Sequence, residues 1–275
     1  MKYYVVADVH GFYDELVSAL TEKGYFEDTS PHKLIVCGDL FDRGKGAEKL
    51  QNFIVDLIDR EEVILIRGNH EDLLEEFVEN IYRYLDFGVQ YTHHHSNGTV
   101  NTVLQLTGLT LTKATMYPAR AQALMRHTPL YKKILPAMRN YFETEHYVFV
   151  HGWIPCYGVG SGRTPNRYIP MDEDWRNASE EDWGDCRWYN GMDAAYQGIT
   201  EPYKTIVCGH WHCSYGHSRY QGNGDEFGES ADFSPYIAEG IIAIDGCTAF
   251  SHKVNCIVIE DEELPKKIEK NETGN

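Results

Sequence analysis

The chain has 275 residues, of which 42% are hydrophobic, and its formal net charge is −17, from 25 Lys and Arg against 42 Asp and Glu. A chain of this length can bury a large core as one domain, and no Pro-, Gly- or Ser-rich linker divides it. The negative charge argues against non-specific binding to nucleic-acid polymers or to anionic membranes. We therefore expect one domain over residues 1–265 and a charged tail over residues 266–275.

The first apolar run and the cysteines indicate where the protein resides. The run YYVVAD is too short for a secretory signal or a membrane span. The seven cysteines form no CxxC pair, and three of them lie in strand-like apolar runs, as reduced core thiols do. We expect a cytoplasmic protein.

Five apolar runs each end in side chains that can bind a metal ion, next to a glycine. The first, YYVVADVHG, ends at Asp8 and His10 and leads into apolar residues at helical spacing. The second, KLIVCGDLFDRG, ends at Asp39 and Asp42 and also leads into a helical pattern. Such runs are typical of buried strands that are followed by helices.

The next three runs repeat this pattern. VILIRGNHEDLLEEF changes from a strand pattern to an acidic helix pattern at Asn69 and His70. HYVFVHG ends at His151, and KTIVCGHWH ends at His210 and His212. Because ligands of open α/β sheets bind beyond the carboxyl ends of the strands, we expect the five strand ends to form one site.

The order of the elements predicts the fold class. Alternating strands and helices over the first ~85 residues predict right-handed βαβ units and an α/β fold with a largely parallel or mixed sheet. The stretch GIIAIDGCTAFSHKVNCIVIED predicts an antiparallel hairpin on a second sheet. Two less regular insertions lie at about 86–140 and 153–203. All five tryptophans occur from residue 153 onward, so we expect the second insertion to form a wall or cap over the site.

The residue types at the strand ends suit a pair of divalent cations. Asp8 and His10 are two residues apart and point to the same side of an extended strand, so they can hold one cation. Asp39 can bridge two cations through its two oxygens. The second site is completed by one amide and two imidazoles: Asn69, His151 and His210. This mixed ligation favours manganese, with iron or zinc as alternatives, and two such ions about 3.5–4 Å apart would clamp a phosphoryl group and turn a bridging water into the attacking hydroxide.

The same turns carry candidates for catalysis and phosphate binding. His70 directly follows a candidate ligand, so it can face the substrate and protonate the leaving group. Asp42 can fix the tautomer of His70 and raise its pKa. Arg43 and Arg67 flank these turns, and the planar fork of arginine matches phosphate oxygens. The structural alternative for Arg67 is a surface ion pair with Glu71.

Five short motifs stand in a fixed order: DVHG at 8–11, GDLFDRG at 38–44, GNHE at 68–71, HG at 151–152 and GH at 209–210. Together they resemble the phosphoprotein phosphatase branch of the calcineurin-like metallophosphoesterases, and within it the bacterial and phage serine/threonine protein phosphatases. The resemblance implies a two-sheet β-sandwich flanked by helices, with a dinuclear metal centre at the strand tips.

The resemblance also implies roles for individual residues. One metal would be held by Asp8, His10 and Asp39, and the other by Asp39, Asn69, His151 and His210. His70, paired with Asp42, would be the general acid, and Arg43 would bind phosphate.

Some positions extend the family's pattern or depart from it. Arg187, in CRWYN, is the candidate for a further phosphate-binding arginine, and His212 matches a histidine that ligates the first metal in the broader superfamily. Ala7 replaces a usual glycine, and Trp153 stands where many protein phosphatases have a small residue, which would narrow the cleft or make it aromatic.

Two further groups have a plain interpretation. The run His93-His94-His95 lies among polar residues and is interpreted as a solvated loop, with extra metal binding as the alternative. Asp245, in IAIDGC, is interpreted as a turn residue or a support for the site.

The favoured function is a dinuclear-metal-dependent phosphatase that hydrolyses phosphoserine or phosphothreonine in proteins. The alternative is a hydrolase of dinucleoside polyphosphates, or a phosphodiesterase of the same superfamily, with Trp153 and Trp211 stacking a base. A non-enzymatic scaffold ranks lowest because every expected ligand is present. The expected partner is a phosphorylated protein or a small phosphoester, and neither a nucleic-acid polymer nor a membrane.

Overall fold

Two β-sheets pack face to face in a computed structural model of the chain, which describes residues 1–85, 92–160 and 165–264. The predicted tail at 266–275 lies outside the described residues. In the described part of the chain the strands are β1 Lys2–Val6, β2 His32–Cys37, β3 Val63–Ile66, β4 Phe142–Glu143, β5 Tyr147–Phe149, β6 Cys156–Val159, β7 Arg167–Pro170, β8 Thr205–His212, β9 Tyr236–Ala238, β10 Ile241–Asp245 and β11 Cys256–Glu260.

Helices cover the outer faces of both sheets. Those described are α1 Tyr13–Glu22, α2 Ala47–Asp59, α3 Asn69–Glu79, α4 Ile81–Tyr84, α5 His93–Ser96, α6 Thr99–Thr107, α7 Leu111–Met116, α8 Pro118–His127, α9 Leu135–Ala137, α10 Glu180–Cys186, α11 Gly191–Tyr196, α12 Cys213–Gly216 and α13 Thr248–Ser251. Short π-helical turns at Leu130–Ile134 and His217–Gln221 and a 3₁₀ turn at Trp175–Asn177 complete the helical elements. No helix among the described residues is long and apolar enough to cross a bilayer.

The strand order explains how distant segments meet. One sheet has the order β11-β1-β2-β3, in which β1, β2 and β3 are parallel and β11 is antiparallel. The other has the order β4-β5-β8-β10-β9, with parallel β5, β8 and β10. Parallel strands place their carboxyl ends at one edge, so both sheets bring their strand ends to the site.

Alternation along β1 divides the core into layers. Tyr3 and Val5 are fully buried between the two sheets, whereas Tyr4 and Val6 pack against the helices. This period of two is the expected pattern for a strand that is buried on both faces. The predicted α/β fold, two sheets flanked by helices, is confirmed.

The predicted C-terminal hairpin is wrong. Strand β10 lies inside the five-stranded sheet between β8 and β9, so neither of its edges is free for β11. The chain instead crosses to the other sheet, where β11 covers the open edge of β1.

The first insertion is more regular than its sequence indicates. Residues 93–137 are largely helical, and helices α6 and α8 pack against each other and against α3. The tryptophans of the second insertion serve mainly as core: Trp153, Trp175 and Trp183 are buried in one apolar cluster.

Candidate metal centre and active site

Six site residues adopt a backbone conformation that L-amino acids rarely use. Positive φ angles of 50° to 74° occur at Asp8, His10, Asp39, Asp42, Arg43 and His210. Non-glycine residues in the left-handed region persist only where the surrounding structure holds them, and such residues cluster at functional sites. These strained turns therefore indicate that the strand ends form a functional site.

A bulge in β8 sets the direction of His210. The register between β8 and β10 pairs Ala243 with Cys208 but Asp245 with His212, so extra residues of β8 lie opposite one residue of β10. Bulges of this kind re-aim side chains next to active sites. His210 lies within the bulged segment.

Asp39 lies between two groups of histidines, as a bridging carboxylate would. Its Oδ1 is 3.4 Å from Nε2 of His151, while its Oδ2 is 3.7 Å from Nε2 of His10 and 3.8 Å from Nε2 of His70. Ligand atoms of Asp39, His151 and His210 lie within 4.8 Å of one another, and so do those of His10, Asp39 and His70. One carboxylate thus serves both groups.

The remaining predicted ligands lie beside these groups. Asp8 Oδ1 is 4.0 Å from Nε2 of His10, and Asn69 Oδ1 is 2.8 Å from Nε2 of His151. The structure therefore brings together the side chains of all five predicted strand ends.

Backbone carbonyls orient the histidine rings. Nδ1 of His10 is 3.0 Å from the carbonyl oxygen of Phe41, and Nδ1 of His151 is 2.9 Å from that of Cys37. Nε2 of His210 is 3.1 Å from the carbonyl oxygen of Trp188. When the nitrogen that faces a carbonyl carries the proton, the other nitrogen has a lone pair for a metal.

The charges of the site fit a pair of cations. Asp8, Asp39 and Asp245 are all buried, and burial together with the charges of Asp245 and Asp39 raises the pKa of Asp8 well above its ordinary value. Burial also raises the pKa of Asp245 to about 7. Clustered buried carboxylates require positive charge nearby. Carboxylate, amide and imidazole donors suit two ions such as manganese, iron or zinc.

His70 differs electrostatically from the candidate ligands. Burial lowers the pKa of His10, His151 and His210, that of His210 to about 3, so they are neutral, as metal ligands must be. Burial alone would lower the pKa of His70 as well, but the carboxylates of Asp39 and Asp42 outweigh it and raise the pKa above its ordinary value. Such opposite pKa shifts distinguish a candidate general acid from candidate metal ligands.

The predicted pairing of His70 with Asp42 is present in the structure. Nδ1 of His70 lies 2.8 Å from Oδ2 of Asp42, and Nε2 faces the other way, 3.3 Å from Nη2 of the exposed Arg43. This geometry turns Nε2 of His70 away from Asp42 and towards the guanidinium of Arg43.

Two threonines that were not predicted hold Asp42. Thr99 donates to Oδ2 of Asp42 at 2.9 Å, and Thr102 donates to Oδ1 at 2.9 Å and accepts from the amide of Asp42 at 3.0 Å. Both lie at the start of α6 and are fully buried. Their spacing of three residues on one helix face was the only sequence signal, and it is weak by itself.

Glu71 ties two of the strand-end turns together. Its carboxylate accepts from the amides of Gly68 at 2.8 Å, Asp39 at 3.1 Å and Leu40 at 3.0 Å. The alternative ion pair between Arg67 and Glu71 is therefore not formed, because the carboxylate is buried on backbone donors.

Arg67 and Arg187 are engaged by acidic and amide groups rather than left free for phosphate. Nε of Arg67 is 2.6 Å from Oδ1 of Asp72, and Arg67 also pairs with Glu75. Nη1 of Arg187 is 2.8 Å from Oδ2 of Asp72, and its Nη2 is 2.5 Å from Oδ1 of Asn140. One carboxylate, that of Asp72, thus holds both arginines that were predicted to bind phosphate.

The structure bears on two other predicted residues. Nε2 of His212 is 3.0 Å from Oε1 of Glu226, and His212 belongs to neither group of ligand atoms around Asp39, so its role as a ligand stays a prediction. Trp153 does not line the cleft: it is 1% exposed, and its Nε1 donates to the carbonyl of Ile199 at 3.0 Å. The packing of the second insertion, which the sequence does not reveal, covers its ring.

Two glycines allow the close approach of backbone and carboxylate. A Cβ at Gly68 would overlap Oδ1 of Asp39, and a Cβ at Gly209 would overlap Oδ2 of Asp8. Only glycine fits where a main chain passes so near a side chain.

A family model described as calcineurin-like phosphoesterase matches residues 1–214. The asymmetrical bis(5′-nucleosyl)-tetraphosphatase PrpE of Halalkalibacterium halodurans is 24% identical over 205 residues, which cover 66% of this chain and 76% of the relative. PrpE of Geobacillus thermodenitrificans is 33% identical over 134 residues, 46% of this chain and 50% of the relative. The matches to several other PrpE proteins likewise span about half of the relatives' length.

Among solved structures, a cold-active protein-tyrosine phosphatase of a psychrophilic Shewanella species aligns with a TM-score of 0.50. The two chains are 16% identical, and the alignment covers 94% of this chain and 75% of the other. At this identity the likeness concerns the fold.

Proposed function

Because this chain belongs to the calcineurin-like phosphoesterase family, we propose that it is a metal-dependent hydrolase that cleaves a phosphoric anhydride bond of a dinucleoside polyphosphate. The observation that carries the hydrolase part is the convergence of five strand ends around Asp39, whose two oxygens face different groups of histidines. This is the arrangement that a bridging carboxylate needs.

The cations would be held by the chain's own donors. Asp8, His10 and Asp39 face one position, and the other is faced by Asp39, Asn69, His151 and His210. We propose manganese for both positions, with iron or zinc as the alternatives that the same mixed oxygen and nitrogen donors would accept. When bound, the cations supply positive charge for the phosphoryl oxygens and activate a water.

His70 and Arg43 act on the substrate directly in this proposal. With Nδ1 of His70 held by Asp42, its Nε2 delivers a proton to the leaving oxygen. The guanidinium of Arg43 lies beside Nε2 and binds phosphoryl oxygens as negative charge develops. Arg67 and Arg187 would bind phosphoryl oxygens only after their ion pairs with Asp72 break.

The choice of a dinucleotide rests on two kinds of support. Relatives matched over part of their length are named bis(5′-nucleosyl)-tetraphosphatases. Trp211, which follows His210 in the sequence, is partly exposed and stacks on His212. The ring of His212 is 4.7 Å from that of Phe227, which is 51% exposed. Exposed aromatic rings next to a phosphate site offer a stacking surface for a base.

A second candidate is the phosphomonoesterase acting on phosphoserine or phosphothreonine. The buried His70–Asp42 pair favours it, because a serine or threonine alkoxide needs a proton on leaving far more than a nucleotide phosphate does.

One panel separates the candidates. The Mn²⁺-loaded protein is given diadenosine tetraphosphate, a phosphoserine peptide and p-nitrophenyl phosphate, and kcat/KM is compared. We expect the dinucleotide to be cleaved fastest. Faster turnover of the phosphopeptide would establish the second candidate, and an Asp39→Asn variant that retains full activity on every substrate would refute the hydrolase site itself.

A further inference from the structure

We propose that Glu76, His93 and His94 form a binding site for one divalent cation of the zinc class, separate from the centre around Asp39. One ligand atom from each of the three side chains lies within 4.8 Å of the other two. Glu76 belongs to α3, whereas His93 and His94 belong to α5, so the site joins two separate helices.

His94 supplies an independent reason for a ligand here. The residue is fully buried, yet neither of its ring nitrogens has a hydrogen-bond partner among the residues that the structure describes. Its ring packs against Tyr84, with centroids 4.2 Å apart, and against Phe77 at 5.2 Å. Buried nitrogens are almost always partnered, because burying a polar group without a partner is costly. A cation would provide the partner that His94 lacks.

The other two ligands give the cation access and a fixed position. Glu76 and His93 are exposed, and the ring centroids of His93 and His94 are 4.0 Å apart. The hydroxyl of Tyr84 donates to Oε1 of Glu76 at 2.6 Å, which holds the carboxylate in place. A buried inner ligand and an exposed outer pair make a site that an ion can enter from solvent.

The ligand chemistry selects the class of cation. Two imidazoles and one carboxylate are borderline ligands that suit Zn²⁺, whereas Mg²⁺ and Ca²⁺ prefer oxygen ligands alone. Three protein ligands leave one position of a tetrahedral ion for water.

The site lies next to the segment that positions Asp42. Helix α5 is followed by Gly98 and then by Thr99 and Thr102, which hold the Asp42 carboxylate. A cation shared by α3 and α5 would fix the start of this segment to the helix that carries His70.

Anomalous diffraction from crystals of the full chain soaked in Zn²⁺ tests the site directly. We expect a peak within coordination distance of Glu76, His93 and His94. Peaks around Asp39 without one here would overturn the inference. A peak here without any around Asp39 would support it and would count against the proposed metal centre, so the two can fail separately.

Solution measurements with matched variants provide the second test. The exposed ligands are changed in His93→Gln and Glu76→Gln, and His127→Gln removes an exposed imidazole elsewhere. In calorimetric titration with Zn²⁺, we expect both ligand variants to bind one equivalent fewer than wild type and His127→Gln to bind the same number. Unchanged stoichiometry in both ligand variants would overturn the inference.

Discussion

Thr99 donates a hydrogen bond to Oδ2 of Asp42 at 2.9 Å, and this oxygen also holds Nδ1 of His70 at 2.8 Å. The orientation of the carboxylate that supports His70 is therefore set by a helix of the first insertion. Removal of the hydroxyls of Thr99 and Thr102 should therefore loosen the orientation of His70, the candidate general acid, while every candidate metal ligand is kept.

Thr99→Val and Thr102→Val should each lower kcat about tenfold, because a buried carboxylate loses one donor and no longer fixes His70 firmly. KM and metal content should change little. Steady-state kinetics with elemental analysis measures both. Thr107→Val is the matched control, since its hydroxyl donates to Val103 in the same helix and not to Asp42. Equal losses in all three variants would point to a general effect on helix α6.

His70→Asn should lower kcat by about 10²–10⁴ while the cations stay bound. The loss should be greatest on alkyl phosphates, whose leaving groups most need a proton, and smallest on p-nitrophenyl phosphate. Comparing kcat on the two ester types measures this difference. A uniform loss on both would contradict the role of His70 as the acid.

Asp39→Asn should remove the cations from both positions, because the two groups of histidines share this carboxylate. Elemental analysis after dialysis gives the content per chain. Retention of two metal equivalents per chain would show that a bridging Asp39 carboxylate is not needed to hold the cations.

Gly209→Ala should destabilise the fold by about 1–3 kcal/mol and lower metal content, because the added Cβ overlaps the carboxylate of Asp8. Urea denaturation measures the free energy of unfolding. The control is Gly184→Ala in α10, where an added Cβ meets nothing within 4 Å and should be neutral or slightly stabilising. A Gly209→Ala protein as stable as wild type would exclude the close approach.

The pair of His146 and Asp261 should give the protein a pH-dependent stability. The hydrogen bond to Asp261 raises the pKa of His146 above its ordinary 6.5. Partial burial opposes ionisation of Asp261, yet the hydrogen bonds that its carboxylate accepts, first among them the one from the His146 side chain, lower its pKa to about 2. The contribution of His146 to folding stability is complete below pH 6.5 and is lost as the pH rises through its raised pKa. The contribution of Asp261 is complete above its ordinary pKa of 3.8 and is lost as the pH falls towards about 2.

Thermal unfolding of wild type and His146→Gln checks this window. The difference in Tm should be larger at about pH 5.5 than at about pH 9, where a neutral imidazole no longer favours the folded state. An equal difference at both values would mean that the charge of His146 contributes nothing.

The convergence at Asp39 was predictable from sequence because it follows from local rules. Each apolar run ends at a glycine turn, and the carboxyl ends of parallel strands share an edge. The contact between Thr99 and Asp42 was not predictable, since it depends on how a helical insertion docks. The pairing of Arg67 and Arg187 on Asp72 joins two distant segments and leaves no periodic pattern.

The position of β11 shows a different limit of sequence reasoning. Two strands separated by a short loop predict a hairpin when only local pairing is considered. Here both edges of β10 were already occupied, so global strand order decided the pairing.

The candidate ligands are divided between the layers of the sandwich: Asp8, Asp39 and Asn69 follow strands of one sheet, while His151 and His210 belong to the other. The two sheets have separate hydrogen-bond ladders and meet through the apolar layer between them. Catalytic activity should therefore depend on how accurately the two sheets keep their alignment. A core substitution far from the strand ends that lets one layer slide should abolish turnover well before it abolishes folding.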